Sequence, residues 1–335
     1  MARLKDVAQL AGVSLSVASR VLNNDEGARI SAGTRERVVA AAKQLDYVPD
    51  HRARALRLSR AGAIALVVPE VNNAIFASLH AGVQEACFAS STAVFLAQLG
   101  SPEEGRAALH RLIGNGRVDG VILQRNELYS DEALRETIAL EVPVVLFNST
   151  LEGHVGSVAM DDRESVRIAL DHLASLGHSR IGFVSGAAQH DAAIRRLDAF
   201  RDFAVAAGLS REEWIQPAGW EAPAGAKAMA RLLELAERPT AVLVASMNAA
   251  IGALSEALAH GIRVPDELSI MSVHDAWLAQ YVSPALTTVA MPMHAAGHAA
   301  ATMLLRHLDG EPLADTVIDV PSPRVIARDS TAAPA

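Results

Sequence analysis

The chain has 335 residues, of which 50% are apolar, 20% are charged and 4% are aromatic. This is the composition of a folded globular protein, and it excludes an intrinsically disordered chain. The length predicts two or three domains, and no apolar run approaches the roughly 18 residues that a membrane-spanning helix needs. The single cysteine, Cys87, excludes an intramolecular disulfide and a cysteine-based zinc site. The charged N-terminus shows no signal peptide, so we expect a cytoplasmic protein.

Charge is distributed unevenly along the chain. Residues 1–60 carry eleven basic and six acidic side chains, a net charge of +5, whereas the remainder carries 19 basic and 32 acidic side chains, a net charge of −13. A basic segment on an acidic body is typical of a nucleic-acid-binding module attached to a domain with another task. Many solvated helical faces are also basic, so charge alone does not decide this.

The first sixty residues carry a helix-turn-helix pattern. Apolar spacing predicts helices over residues 5–11, 15–22 and 34–45. Gly12 suits a turn that needs a positive φ, Ser14 can cap the second helix, and Ser31 can cap the third. Two short helices joined by such a turn and supported by a third form the helix-turn-helix motif, although an ordinary three-helix bundle has the same spacing.

The second predicted helix has the residues that reading DNA requires. Small side chains at its start allow close approach to base edges in the major groove. Arg20 can donate a bidentate pair to guanine or bind a phosphate.

An ordered series of motifs runs through this segment: Asp6-Val7-Ala8, Ala11-Gly12-Val13-Ser14, Ser19-Arg20-Val21-Leu22-Asn23, Thr34-Arg35-Glu36-Arg37-Val38, Tyr47-Val48-Pro49 and Ala53-Arg54-Ala55-Leu56. Together they resemble the headpiece of the LacI/GalR-type transcriptional regulators. The sequence departs from the family at Val17-Ala18, where Thr-Val is usual, and at Gly33, where an acidic residue is preferred.

The resemblance also implies the residues that meet DNA. Residues 50–58 would form a hinge helix that orders on DNA, with Leu56 as an apolar wedge in the minor groove and Arg54 and Arg57 on phosphates. For Leu56 the alternative is a plain linker leucine. The residues expected to contact DNA are Ser14, Leu15, Ser16, Val17, Ser19, Arg20, Asn23, Thr34, Arg54, Leu56 and Arg57.

The body alternates strand-like and helical segments. Short apolar runs predict strands at 63–69, 93–97, 118–123, 142–147, 180–185, 241–245, 268–273 and 317–320. Helical patterns near 76–88 and over 163–176 lie between them. This alternation predicts an α/β fold with parallel, doubly wound sheets, and the number of segments predicts two lobes. Ligands of such folds bind at the carboxyl ends of the strands, here in the cleft between the lobes.

Motifs such as Leu176-Gly177-His178, Arg238-Pro239-Thr240 and Ser283-Pro284-Ala285-Leu286 extend the resemblance over nearly the whole body. It implies a periplasmic-binding-protein-like core that senses a small molecule. The domains expected on this basis are a headpiece at 1–48, a hinge at 49–60 and a core at 61–330. Lobe 1 would comprise about 61–159 and 289–318, and lobe 2 about 160–288 and 319–330.

Candidate effector-binding residues follow by position in this fold: Asn73, Phe76, Gln124, Asn148, His190, Arg196, Trp220, Ser246 and Asp275. Arg196 matches the family arginine that clamps effector oxygens, Trp220 can stack on a sugar or base, and Asp275 can accept from hydroxyls. The alternatives are a structural ion pair for Arg196, core or lid filling for Trp220 and a helix N-cap for Asp275.

Ser246-Met247 stands where many family members have Asn-Asp. This loss of polar groups indicates either an effector less polar than a free hexose or a weakened effector site. His294 and His298 have a metal-binding i, i+4 spacing, but no third ligand is near them in sequence, so we expect no metal.

These observations favour a homodimeric transcriptional repressor. It would bind pseudo-palindromic operator DNA and respond to a small-molecule effector, for which a carbohydrate is one candidate, without a cofactor and without enzymatic activity. A solute-binding protein for transport would explain the body but not the basic headpiece. A sugar-processing enzyme is the third alternative, although no catalytic arrangement stands out above chance.

Overall fold

The computed structural model describes residues 2–22, 28–47, 60–114 and 116–335. The chain divides into two compact units, Met1–Ala61 and Gly62–Ala335. The predicted hinge helix with Arg54, Leu56 and Arg57, and also Asn23, lies outside the described residues.

The first unit contains three short helices, α1 (Leu4–Ala11), α2 (Leu15–Leu22) and α3 (Ala32–Gln44). Gly12 ends α1 with a φ of +64°, and the Ser14 Oγ accepts a hydrogen bond from the Val17 N–H at 3.2 Å. Ser31 caps α3, which begins two residues before the predicted start. The helices enclose a small apolar core, whose fully buried members include Val7, Ala18 and Val38. This is the helix-turn-helix arrangement, one of the two alternatives that the spacing left open.

The second unit contains two six-stranded sheets. The first has the order β11-β5-β4-β3-β1-β2 and is parallel throughout. Its strands are β1 (Ala63–Val68), β2 (Ala93–Gln98), β3 (Gly120–Leu123), β4 (Val144–Phe147), β5 (Ser157–Met160) and β11 (Thr316–Ile318). The second has the order β12-β10-β9-β8-β6-β7, and only its β10–β12 pair is antiparallel within the described chain. Its strands are β6 (Ile181–Val184), β7 (Ile215–Gln216), β8 (Ala241–Val244), β9 (Ser269–Val273), β10 (Thr287–Ala290) and β12 (Arg324–Ile326).

Helices connect these strands: α4 (Ile75–Ala89), α5 (Pro102–Ile113), α6 (Asp131–Ile138), α7 (Asp162–Ser175), α8 (Asp191–Phe200), α9 (Ala222–Leu233), α10 (Met247–Ala259) and α11 (Met293–Leu308). The two-sheet α/β class predicted from the alternation is confirmed. The prediction missed β5, β7, β10 and β12. Polar residues interrupt the apolar pattern of β5 and β10, and β7 and β12 have only two and three residues. The chain changes sheets after β5, after β10 and after β11.

Each sheet carries one helix pair that packs through reciprocal glycines. A Cβ on Gly82 of α4 would collide with the His294 carbonyl of α11, and a Cβ on Gly297 of α11 would collide with the Leu79 carbonyl of α4. In the other lobe, Gly225 of α9 and Gly252 of α10 stand in the same relation to the backbone of the partner helix. The missing side chains let the two backbones approach closely, so these glycines fix the helix layer that covers each sheet.

Among the described residues, no helix is both long enough and apolar enough to cross a membrane.

Candidate nucleic-acid interface and ligand cavity

Helix α2 buries one face and exposes the other. Ala18 and Val21 are packed in the core of the first unit, whereas Leu15, Ser16 and Arg20 are exposed. Leu15 has 53% of its surface accessible. The exposed face therefore combines an apolar side chain, a hydroxyl and a guanidinium, groups that can contact a thymine methyl, a phosphate and a guanine respectively.

The remaining predicted contact residues of the first unit flank this face. Val17 and Ser19 are half-buried, at the edge between core and surface. Ser14 is exposed, although its hydroxyl oxygen caps α2. The Thr34 Oγ1 accepts from the Ser31 Oγ at 3.0 Å, at the start of α3. These two hydroxyls stand at helix N-termini, where exposed backbone N–H groups favour an anion such as a phosphate.

A cavity of about 300 Å³ lies at the carboxyl ends of strands from both sheets. Gln124, Asn148 and His274 line it, and each directly follows a strand (β3, β4 and β9). Asn148 and His274 have positive φ angles of 46° and 69°. Such backbone conformations are uncommon outside glycine and cluster at binding sites, because the surrounding structure must hold them in place.

All predicted effector residues except Asp275 line this cavity: Asn73, Phe76, Gln124, Asn148, His190, Arg196, Trp220 and Ser246. Ser246 also caps α10, since its Oγ accepts from the Ala249 N–H, and it donates to the Trp220 carbonyl at 3.0 Å. The structure thus brings together residues that are up to 173 positions apart in sequence, from Asn73 to Ser246.

The placement of Asp275 differs from the prediction. Its Oδ1 accepts from the Thr288 Oγ1 at 2.7 Å and forms an ion pair with the Arg328 Nη2 at 2.8 Å. The carboxylate ties β10 to the C-terminal segment and does not reach the cavity. The preceding residue, His274, takes the cavity position, because the left-handed turn at His274 directs the chain away after β9.

Arg196 is the centre of a buried polar network and is 1% exposed. Its guanidinium donates to the Asp162 Oδ1 at 2.7 Å, to the Ala245 carbonyl at 2.6 Å and to the His274 Nε2 at 2.9 Å. The structural ion pair considered as an alternative for Arg196 is therefore present. The same guanidinium lines the cavity, where the network holds it in one orientation.

The hydrogen bonds of the two cavity histidines determine which ring nitrogens carry protons. An arginine can only donate, so the His274 Nε2 accepts and the proton sits on Nδ1, which has no partner among the described residues. The His190 Nδ1 accepts from the Ala192 N–H at 3.3 Å, so its Nε2 carries the proton. Burial lowers the pKa of His190 to about 4 and lowers the pKa of His274, so both rings are neutral near pH 7.

This assignment orients the Gln124 amide. The structure places the Gln124 Nε2 3.3 Å from the His190 Nε2 and leaves the Gln124 Oε1 without a described partner. Because that His190 nitrogen carries a proton, we assign the two amide atoms the other way round, with the amide oxygen accepting from His190. The Gln124 NH₂ group then occupies the terminal position that has no partner within the described part of the chain. Trp220 presents a further buried donor without a described partner, Nε1, and its ring lies edge-on to His190 with centroids 4.9 Å apart.

A second set of contacts joins the two sheets beside the cavity. Arg125, which follows β3, pairs with Asp191 at the start of α8 at 2.6 Å, and Asp191 also accepts from the Thr150 N–H at 2.6 Å. Arg195 of α8 donates to the Asn148 Oδ1 at 2.6 Å. These contacts join residues of the first lobe to helix α8 of the second.

Sequence reasoning missed Arg125, Asp191 and the three glutamates that line the cavity, Glu70, Glu127 and Glu221. Arg125 and Glu70 stand within two residues of a predicted strand end, so an inspection of every strand end would have found them. Glu221 precedes a helix after the very short β7, and no sequence pattern predicts its place in the cavity.

Comparison with known proteins places these features in a family. Residues 3–50 match the family described as bacterial regulatory proteins, lacI family, and residues 170–331 match a periplasmic binding protein-like domain. The HTH-type transcriptional repressor PurR of Vibrio atlanticus is 30% identical over 312 residues, which cover 92% of each chain. The chain belongs to the lacI family of bacterial regulatory proteins.

Solved structures agree with this assignment. A LacI family transcriptional regulator from Mycobacterium smegmatis is 47% identical, covers 81% of this chain and 100% of its own, and gives a TM-score of 0.77. The complex of the transcriptional regulator CelR with cellobiose is 28% identical, covers 98% of this chain and 100% of its own, and gives a TM-score of 0.72. The lacI-family headpiece favours a DNA-binding transcriptional regulator over a transport protein that shares only the core.

Proposed function

We propose that this lacI-family protein is a homodimeric repressor that binds a pseudo-palindromic operator. Its affinity for the operator falls or rises when a small molecule occupies the cavity. The observation that carries the proposal is the presence, on one chain, of a helix-turn-helix with an exposed second helix and of a cavity lined from two lobes. Its relatives are named as repressors, which supports this role over that of an enzyme.

The DNA-contacting face would be the exposed side of α2. Leu15 and Ser16 would approach base edges, and Arg20 would bind guanine or a phosphate. The segment with Arg54, Leu56 and Arg57 would contact the central minor groove, as the family resemblance implies. A regulator that binds the chromosome acts in the cytoplasm, which is where we place this protein.

The coupling between ligand and DNA would be a linkage effect. The cavity is lined by residues of both lobes, including Gln124 from the first sheet and His274 from the second. A ligand that contacts both lobes favours one relation between them, and DNA favours one relation between the two headpieces of a dimer. Each ligand then changes the affinity of the other by the same factor.

Exposed apolar side chains support the dimer. Phe88 is 86% exposed, and Phe95 and Leu96 on the edge strand β2 are each nearly half exposed. In the other lobe, Trp277 and Tyr281 are exposed beside each other, with ring centroids 6.1 Å apart. Clustered aromatic surface of this kind is typical of protein–protein interfaces. A second copy of this chain would cover both patches.

The test is selection of bound duplexes from a randomised DNA library by the full-length protein. We expect an inverted-repeat site whose affinity falls steeply as salt rises. Arg20→Gln should weaken binding to that site by about tenfold or more. The control Arg180→Gln changes an exposed arginine of the second unit and should leave binding unchanged. Equal enrichment of all sequences, or turnover of sugars by the protein, would contradict the proposed function.

A further inference from the structure

The exposed end of the cavity is acidic. Glu70 follows β1, Glu127 lies in the loop after β3, and Glu221 stands at the start of α9. Glu221 and Glu70 come from different lobes and line the same cavity, near enough for a hydrogen bond between the two carboxyl groups to contribute to the pKa of Glu221. Burial, that hydrogen bond and the nearby charges of Glu70 and Glu127 together raise the pKa of Glu221 to about 7.

This negative charge is not balanced by the described side chains that line the cavity. Arg196 is the one arginine or lysine among them, and its charge is already paired with Asp162. His190 and His274 are neutral, for the reasons given above. The potential at the exposed end is therefore negative, which disfavours phosphates and carboxylates and favours a cation.

The inner end of the cavity requires hydrogen-bond acceptors from a ligand. His274 is 5% exposed and Gln124 is 8% exposed, and each has a polar atom without a partner in the described part of the molecule, as has Trp220. By the assignment above these groups are N–H donors. Buried donors without acceptors are unfavourable, so a ligand that brings oxygen atoms to this end satisfies them.

We propose that the effector is a small polyol that carries a protonated amine, such as an amino sugar, with its ammonium group between Glu70 and Glu221 and its oxygens against His274, Gln124 and Trp220. The proposal rests on the proposed function, because it names the chemistry of the effector. A bound ammonium group favours the ionised Glu221 carboxylate, so the proton that Glu221 holds in the free protein is released to solvent.

Titration calorimetry on the full-length protein tests this with matched pairs: D-glucosamine with D-glucose, D-galactosamine with D-galactose, and D-mannosamine with D-mannose. We expect at least one amine to bind about tenfold or more tightly than its neutral partner. At about pH 6.5 Glu221 is still mostly protonated in the free protein, so binding of the amine should release most of one proton. Titrations in two buffers of different ionisation enthalpy count that proton.

Two variants separate this proposal from a general effect. Glu221→Gln should remove both the preference for the amine and the proton release, while Glu234→Gln, at the other end of α9 and outside the cavity, should leave both unchanged. The proposal is overturned if no amine binds more tightly than its partner, if sugar phosphates bind more tightly than amines, or if the preference persists in Glu221→Gln. The DNA selection above, run with and without these sugars, reports sequence preference and not ligand chemistry, so the proposed regulator function and the proposed effector can fail separately.

Discussion

The buried pair between Asp162 and Arg196 allows a quantitative test of the network under the cavity. The Asp162 side chain is fully buried, its two oxygens contact Arg196 and Arg195, and the Arg196 side chain is 1% exposed. Replacing Asp162 with alanine leaves the Arg196 charge buried without its counter-charge. Breaking a buried ion pair from one side costs about 3–5 kcal/mol. At about 2–4 °C per kcal/mol for a unit of this size, the unfolding midpoint should fall by roughly 6–20 °C.

The assay is urea unfolding followed by tryptophan fluorescence. All three tryptophans lie in the second unit, so their emission reports on that unit alone. Asp171→Ala is the matched control on the same helix, because Asp171 pairs with the exposed Arg167 and should contribute less than about 1 kcal/mol.

The double variant Asp162→Ala/Arg196→Met completes the cycle. Removing both charges leaves no fully buried unpaired ion, since the other partner of Asp162, Arg195, is 31% exposed. The double variant should therefore be more stable than Asp162→Ala alone by at least about 1 kcal/mol. A loss below about 1 kcal/mol for Asp162→Ala, or a double variant less stable than that single variant, would refute the argument that an unpaired Arg196 charge is what destabilises the protein.

Two further perturbations follow from packing and titration. Gly82→Ala places a methyl group against the His294 carbonyl and should destabilise the second unit by about 1–3 kcal/mol. The control Ala81→Ser, on the exposed face of α4, should change the unfolding free energy by only about 0.5 kcal/mol. Equal urea midpoints for the two variants would contradict the close helix contact. His190 is neutral when folded and has a pKa of about 4, below its ordinary value of 6.5, so the stability it contributes is present above pH 6.5 and is lost as the pH falls towards 4. Between pH 6.5 and 4 this residue should account for about 3 kcal/mol of the decrease in the unfolding free energy. His190→Gln should reduce the pH dependence of the unfolding free energy by that amount. An unchanged pH dependence in the variant would show that burial does not lower the pKa of His190.

Several cavity residues follow from the rule that ligands bind at the carboxyl ends of parallel strands. Gln124 and Asn148 were predicted from their positions after apolar runs, and the structure places both at the cavity. Asp275 was predicted by the same rule, but the structure places the preceding residue, His274, at the cavity. His274 has a left-handed backbone, and the Asp275 carboxylate contacts Thr288 instead. A single backbone angle of this kind leaves no trace in the apolar pattern.

The sequence by itself determined the helix-turn-helix, the alternation of strands and helices, and the family to which the chain belongs. These depend on local periodicity, on a glycine at a turn and on short motifs, all of which are properties of neighbouring residues. Tertiary structure alone decided that Arg196 donates hydrogen bonds to Asp162 and His274, and that Glu70 and Glu221 line the same cavity. Such pairings join residues far apart in the chain. Their charge and tautomer states depend on burial, which exists only once the two sheets have folded together.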